Sequence, residues 1–223
     1  LKYLFWLTVV LLIVFDVQST ELTVKVIDTQ AQAVSNMVVY ARPSNGIKNL
    51  PTNTKALVID QQNKKFSPYV TVMQKGQAIS FVNKDDITHH IYSVSGKNRF
   101  EFKVKAGEKV KTQSMLVSEE IAMGCNIHDW MSGYTLVVDT PYYGKTDSLG
   151  QYTLILPHSG EYVITAWHPQ LDVMHNNIVQ TITIDNSFAS HNGKMNMMMT
   201  LPTNLLPLPE QTGQDEFDFI EEY

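Results

Sequence analysis

Between Leu22 and Leu201 apolar residues recur with a period of two, in short runs broken by turn residues. No stretch carries the 3.6-residue period of a substantial helix. Successive side chains of a strand point to opposite faces, so each run can bury one face only against another sheet. Many short strands separated by turns every ~8–12 residues specify an all-β chain built as sandwiches or barrels. Leu22, Val24 and Val26 alternate with Thr23 and Lys25, and residues 34–41 form a second run stopped by Arg42-Pro43-Ser44-Asn45-Gly46. After a polar connection over 47–56, strands are predicted at 56–60, 69–73, 78–82, 91–95, 100–104, 109–116, 120–125 and 134–139. A last group follows at 152–156, 161–167, 178–184 and 194–201. In its final member Met195, Met197, Met199 and Leu201 share one face, the pattern of a core row rather than of a soft-metal site.

Residues 1–20 read as a secretory signal: Lys2, then an apolar run over 4–15, then small residues near Ser19. That run ends at Asp16 and is shorter than the ~20 residues a membrane-spanning helix needs, so no membrane span is expected in the mature chain. A periplasmic or secreted location follows as the expectation. In such an oxidising compartment the single cysteine, Cys125, has no intramolecular disulfide partner and is either buried, free or bound to a metal. The net charge of −5 is unevenly placed: residues 21–209 carry 16 basic against 15 acidic groups. Glu210, Asp215, Glu216, Asp218, Glu221 and Glu222 crowd the end of the chain, and residues 203–223 are expected to form a disordered acidic tail. Lys97, Arg99, Lys103, Lys105, Lys109 and Lys111 form a basic stretch, read as a solvated strand face that can also steer an acidic partner or hold the tail. Nothing points to nucleic acid.

Cys125 opens the run Cys125-Asn126-Ile127-His128-Asp129-Trp130-Met131, a thiol, an imidazole three residues on and a thioether three further. Upstream, Asn83-Lys84-Asp85-Asp86-Ile87-Thr88-His89-His90 follows an apolar strand and offers a second imidazole. Two imidazoles, one thiolate and a weak axial methionine are the donor set of a mononuclear electron-transfer copper site. Zinc suits Cys and His but takes thioether poorly. Cys125 is expected to end a strand, with His128 and Met131 in a tight loop and the upstream histidine pinning that loop to the opposite sheet. Adjacent strand residues face opposite ways, so only one of His89 and His90 can reach Cys125. His89 is the preferred ligand, and His90 then donates its ring N–H to the Cys125 loop. His158, His168, His175 and His191 share no spacing and are not expected to ligate a metal.

The spacing Cys-x2-His-x2-Met with an upstream Asn-x-Asp-x-x-x-His resembles the cupredoxin (type 1 blue copper) family, over about residues 56–139. The short ligand loop is similar to the amicyanin type, with plastocyanins close. The stretch FSPYVTVMQKGQAISFVNKDDITHHIYSVS also resembles secreted plastocyanin-like proteins, some labelled methylamine utilisation proteins. The resemblance implies a Greek-key sandwich holding one type 1 copper ion on His89, Cys125, His128 and Met131. It further implies that His128 lies at the solvent edge, with Ile127 and Trp130 as an apolar rim. Many cupredoxins carry Asn directly after the first histidine, where this chain has His90.

Residues 22–41 resemble the opening of a carboxypeptidase regulatory-like (transthyretin-like) sandwich, and GKTDSLGQYTLILPHSGEYVITAW resembles its middle. The expected organisation is a signal at 1–20, first strands of that smaller sandwich at 21–50, a cupredoxin domain at 56–139, the rest of the small sandwich at 140–202 and the tail. A tandem order, with 22–41 adding strands to the copper module, is the other arrangement. Functionally the chain is expected to carry single electrons to or from a redox protein such as a c-type cytochrome or a dehydrogenase, without being an enzyme. Copper capture or delivery without redox turnover and a metal-free interaction module are the alternatives.

Overall fold

The structure, a computed structural model, describes residues 19–46, 50–157, 159–185 and 193–210. The proposed signal up to residue 18, His158, His191 and the acidic segment 211–223 lie outside the described residues. In chain order the strands are β1 (Thr20–Ile27), β2 (Val38–Pro43), β3 (Leu57–Gln61), β4 (Phe66–Ser67), β5 (Val70–Gln74) and β6 (Ile79–Asn83). Then come β7 (His89–Ser93), β8 (Phe100–Val104), β9 (Lys109–Lys111), β10 (Glu120–Cys125) and β11 (His128–Val138). The last are β12 (Tyr143–Lys145), β13 (Gln151–Leu156), β14 (Gly160–Trp167), β15 (Asn177–Ile184) and β16 (Lys194–Thr200). The chain is all-β, with a single 3₁₀ turn at Met174–Asn176 among the described residues. Thr20 pairs with Leu156, so a signal reaching residue 20 would take the first rung of β1 with it.

The sheets have the orders β13-β1-β16, β12-β2-β14-β15, β5-β11-β10-β7-β8 and β4-β3-β6-β9. β1 and β2 therefore pair with strands more than 100 residues downstream, and β3 to β11 make two sheets of their own between them. Thr140, just past β11, returns the chain to its starting sandwich by donating its hydroxyl to Ala41 O at 2.7 Å. The second run begins four residues later than its alternation suggested: Asn36 takes a left-handed φ of 61° in a turn, and β2 starts at Val38. Likewise the run at 109–116 shortens to β9, because Asn98 captures the Leu116 and Val117 N–H groups with its side chain.

Period two sets three cores in series. On β2, Met37, just before β2, and Val39 and Ala41 on it enter one cluster with Leu22, Val24, Leu154, Ile164 and Met199. Val38 and Tyr40 face the other way and meet Val70, Leu136, Val138 and Trp167, which join the two sandwiches. Val137, between two of those, points inward to the third cluster with Phe81, Ile91, Ile121, Cys125 and Met131. Polar bonds reinforce the junction: Lys145 Nζ donates to Val70 O at 2.8 Å, Gln170 Nε2 to Tyr69 OH at 2.9 Å and Tyr143 OH to Gln77 Oε1 at 3.0 Å. Met195 and Met197 pack partly buried against the first cluster, while Met198 on the opposite face is exposed.

Candidate metal centre

β7, β10 and β11 are neighbours in one sheet, so the two ligand-bearing segments meet side by side rather than across the sandwich as expected. Sequence alternation cannot show which sheet a strand joins, because that depends on a partner dozens of residues away. Asn126 and Ile127 form the tight connection after β10, and His128 already belongs to β11, opposite Cys125. Between the pairs Gly124–Ser132 and Cys125–His128, residues 129–131 of β11 have no counterpart on β10. This bulge breaks strict alternation and lets both His128 and Met131 turn inward, 7% and 1% exposed. β10 in turn pairs with β7 through Cys125 and Ile91, and Asn126 N–H donates to His90 O at 2.9 Å.

The donor atoms of His89, Cys125 and His128 lie within 4.8 Å of one another, and all three side chains are buried. Cys125 Sγ is 3.8 Å from His89 Nδ1 and 3.5 Å from His128 Nδ1. Bonds of about 2.3 Å to sulfur and about 2.0 Å to nitrogen, meeting at about 110–125°, would set S and N at these same separations. The donor set thus fits a soft or borderline first-row ion, and Met131 lies in the apolar cluster that holds Cys125.

Strand alternation separates the adjacent histidines. His89 is fully buried toward the sulfur, whereas His90 is half-buried, its Nε2 2.9 Å from Glu101 Oε1 and its Nδ1 3.3 Å from Asn126 Nδ2. His90 therefore accepts from Asn126 and turns its other ring nitrogen to Glu101 on β8, rather than donating its ring N–H to the Cys125 loop as expected. His128 has the half-buried Trp130 ring at 5.2 Å and the exposed Ile127 beside it.

Three residues that carried no assigned role in the sequence set the pocket. Asp85 Oδ2 accepts from His89 Nε2 at 2.8 Å, which fixes the ring and turns Nδ1 toward the sulfur. Asp85 is itself held by the Asn63 and Lys64 N–H groups at 2.6 and 3.0 Å. Asn83 donates to Ile87 O and Val104 O and accepts from Asp85 N–H, fixing the loop that delivers His89. Glu101 anchors His90. The Asp-x3-His spacing was a usable signal for Asp85, while Glu101 sits on a different strand and left none.

Burial alone would raise the Cys125 thiol, but hydrogen bonding to His89 and to the Ile127 and His90 backbone outweighs it, so the thiol lies below its ordinary value. Burial disfavours charge on His89 as well, yet its bonds to Cys125 and Asp85 raise it overall. Asp85 is lowered despite burial, by His89 and the two backbone donors. A thiol inclined to ionise beside oriented imidazoles is a metal-binding arrangement, and metal uptake there releases protons.

No protein-family model and no curated protein matches this chain. Solved structures similar to it include a copper-containing nitrite reductase from Thermus scotoductus SA-01, at 20% identity and TM-score 0.36, over 44% of this chain and 25% of that one. An amicyanin variant in its oxidised state is similar at 14% identity and TM-score 0.34, over 44% of this chain and 92% of amicyanin. A purple cupredoxin from Nitrosopumilus maritimus is similar at 17% identity and TM-score 0.33, over 37% and 99%. This chain spans about a quarter of the nitrite reductase. Identity and TM-score are low throughout, so the chemistry below is argued from the donor set of this chain.

Proposed function

We propose that the chain is a type 1 copper protein that relays single electrons and performs no substrate chemistry of its own. The observation that supports this most is the buried meeting of one thiol and two imidazoles at three adjacent strand ends, with a thioether in the same cluster. His89, Cys125 and His128 would hold the ion, with the Met131 thioether as a weak fourth donor. Bound copper supplies a one-electron couple. The residues supply constancy of shape: Asp85 fixes the His89 tautomer, Asn83 fixes its loop, and the strand ladder β7-β10-β11 resists rearrangement when charge changes. Trp130 and Ile127 exclude water from His128 and offer a small apolar patch to a redox protein, in line with the modest interfaces such encounters use. A c-type cytochrome or a dehydrogenase is the kind of partner proposed, in the periplasm or outside the cell. Among the described residues no helix is long and apolar enough to cross a membrane. The flanking strands are read as a transthyretin-like sandwich into which the copper module is inserted, a reading supported by the pairing of β1 and β2 with β12 to β16.

The test is addition of Cu(II) to the metal-free protein. An intense thiolate-to-copper absorption that bleaches reversibly on reduction is the expected result, and Cys125→Ser should abolish it without unfolding the chain. Colour that survives Cys125→Ser would falsify the ligand assignment, and uptake without reversible bleaching would favour storage or delivery.

A further inference from the structure

Among the described residues β8 lies at the edge of the five-stranded sheet, paired only with β7. Beside it runs the segment 112–117, and between the two is an open groove of about 600 Å³. Its apolar lining comes from the half-buried Phe100 and Phe102, the buried Met115 and Leu116, which is 67% exposed. Lys97, Arg99 and Lys111 stand on its border, all exposed, with Lys103 farther along β8. The one acid on the strand, Glu101, is turned to His90. An unpaired edge beside apolar rings is a place where another extended segment can add.

The chain contains a segment of complementary design. In Asp215-Glu216-Phe217-Asp218-Phe219-Ile220-Glu221-Glu222-Tyr223, Phe217 and Phe219 alternate with Glu216 and Asp218. Extended, this puts both phenyl rings on one face and both acids on the other. The alternation matches β8, where Phe100 and Phe102 pack inward while Lys103, and Arg99 just before the strand, are exposed. We propose that residues 215–223 dock along β8 as an added strand, phenyl rings in the groove and carboxylates against Lys97, Arg99, Lys103 and Lys111. Reach is sufficient. Leu206 N–H is bonded to Gln170 O, and Gln170 to Tyr69 just before β5, which places the exit near the opposite edge of that sheet. Crossing from β5 to β8 takes four strand spacings, about 19 Å. The residues from Leu206 to Phe217 extend to about 36 Å. Salt weakens a contact of this kind.

The experiment compares amide hydrogen exchange of the whole chain with that of a chain shortened after Gly213, neither loaded with metal. The expected result is at least tenfold faster exchange over 99–103 in the shortened chain. A synthetic peptide of residues 214–223 should restore protection at low salt and fail to do so at high salt. The triple variant Lys97→Glu, Arg99→Glu, Lys111→Glu of the whole chain should lose the protection while keeping its melting temperature. Equal exchange in the two chains overturns the proposal. Protection that grows with protein concentration also overturns it, in favour of a second copy's segment. Restoration by an unrelated acidic peptide as effective as residues 214–223 reduces it to a general anionic contact and overturns it as well.

Discussion

The sandwich built from β1, β2 and β12 to β16 and the one built from β3 to β11 follow the same period-two rule but bury different chemistry. The first packs Leu22, Val24, Val39, Leu154, Leu156 and Ile164 into an apolar core that also takes in the Tyr162 ring, and its buried His168 and Gln170 lie toward the junction. The second buries His89, His128, Cys125, Asn83 and Gln61, with the two imidazoles and the thiol gathered where β7, β10 and β11 end. Buried polar groups cost stability unless they are paired. The gathering of two imidazoles and a thiol at one place in the second sandwich therefore marks where stability is exchanged for chemistry, while the other sandwich supplies the frame.

Breaking the frame should leave the chemistry intact. Leu22→Ala, at a fully buried position, is expected to cost about 2–5 kcal/mol in denaturant unfolding. The absorption spectrum of the copper-loaded protein should not change; a shifted spectrum would show that the two regions are not independent. The junction is tested by pH. Burial, with Lys145 adding repulsion, depresses His168 to about 4, and Gln170 N–H donates to its Nδ1, which suits the neutral ring. Unfolding returns the ring to its ordinary value near 6.5, so the unfolded chain binds the extra proton first. Its contribution is complete above pH ~6.5 and falls away toward pH ~4, by an amount on the order of 3 kcal/mol. His168→Gln should flatten the stability profile in that window, and an unchanged slope would refute the assignment.

Smaller effects belong to the site. Asp85→Asn removes the charged acceptor of His89 Nε2 and should lower copper affinity by about 10–100-fold in chelator competition. Affinity equal to that of the unaltered chain would show that His89 is oriented by its strand alone. Met131→Leu should keep the colour and raise the reduction potential in a redox titration, because an axial thioether stabilises the oxidised ion. A lost colour would make Met131 a primary ligand.

The strands and the donor set were legible because both are local patterns: alternation in Leu22-Thr23-Val24, and Cys-x2-His-x2-Met in the ligand run. What was not legible is pairing over distance. β1 lies parallel to β16, and β7 beside β10, through ladders whose partners are 170 and 30 or more residues apart. The residues at 129–131 were expected in a loop, and the structure makes them a bulge within β11, a distinction set by the register with β10. The bond from His90 to Glu101 likewise exists only once β7 and β8 are side by side.

X-ray absorption at the copper edge of the loaded protein addresses the centre most directly. One short sulfur scatterer together with two imidazole nitrogens is the predicted shell, with the sulfur missing in Cys125→Ser. A shell of nitrogen and oxygen alone, the same in both proteins, would contradict it.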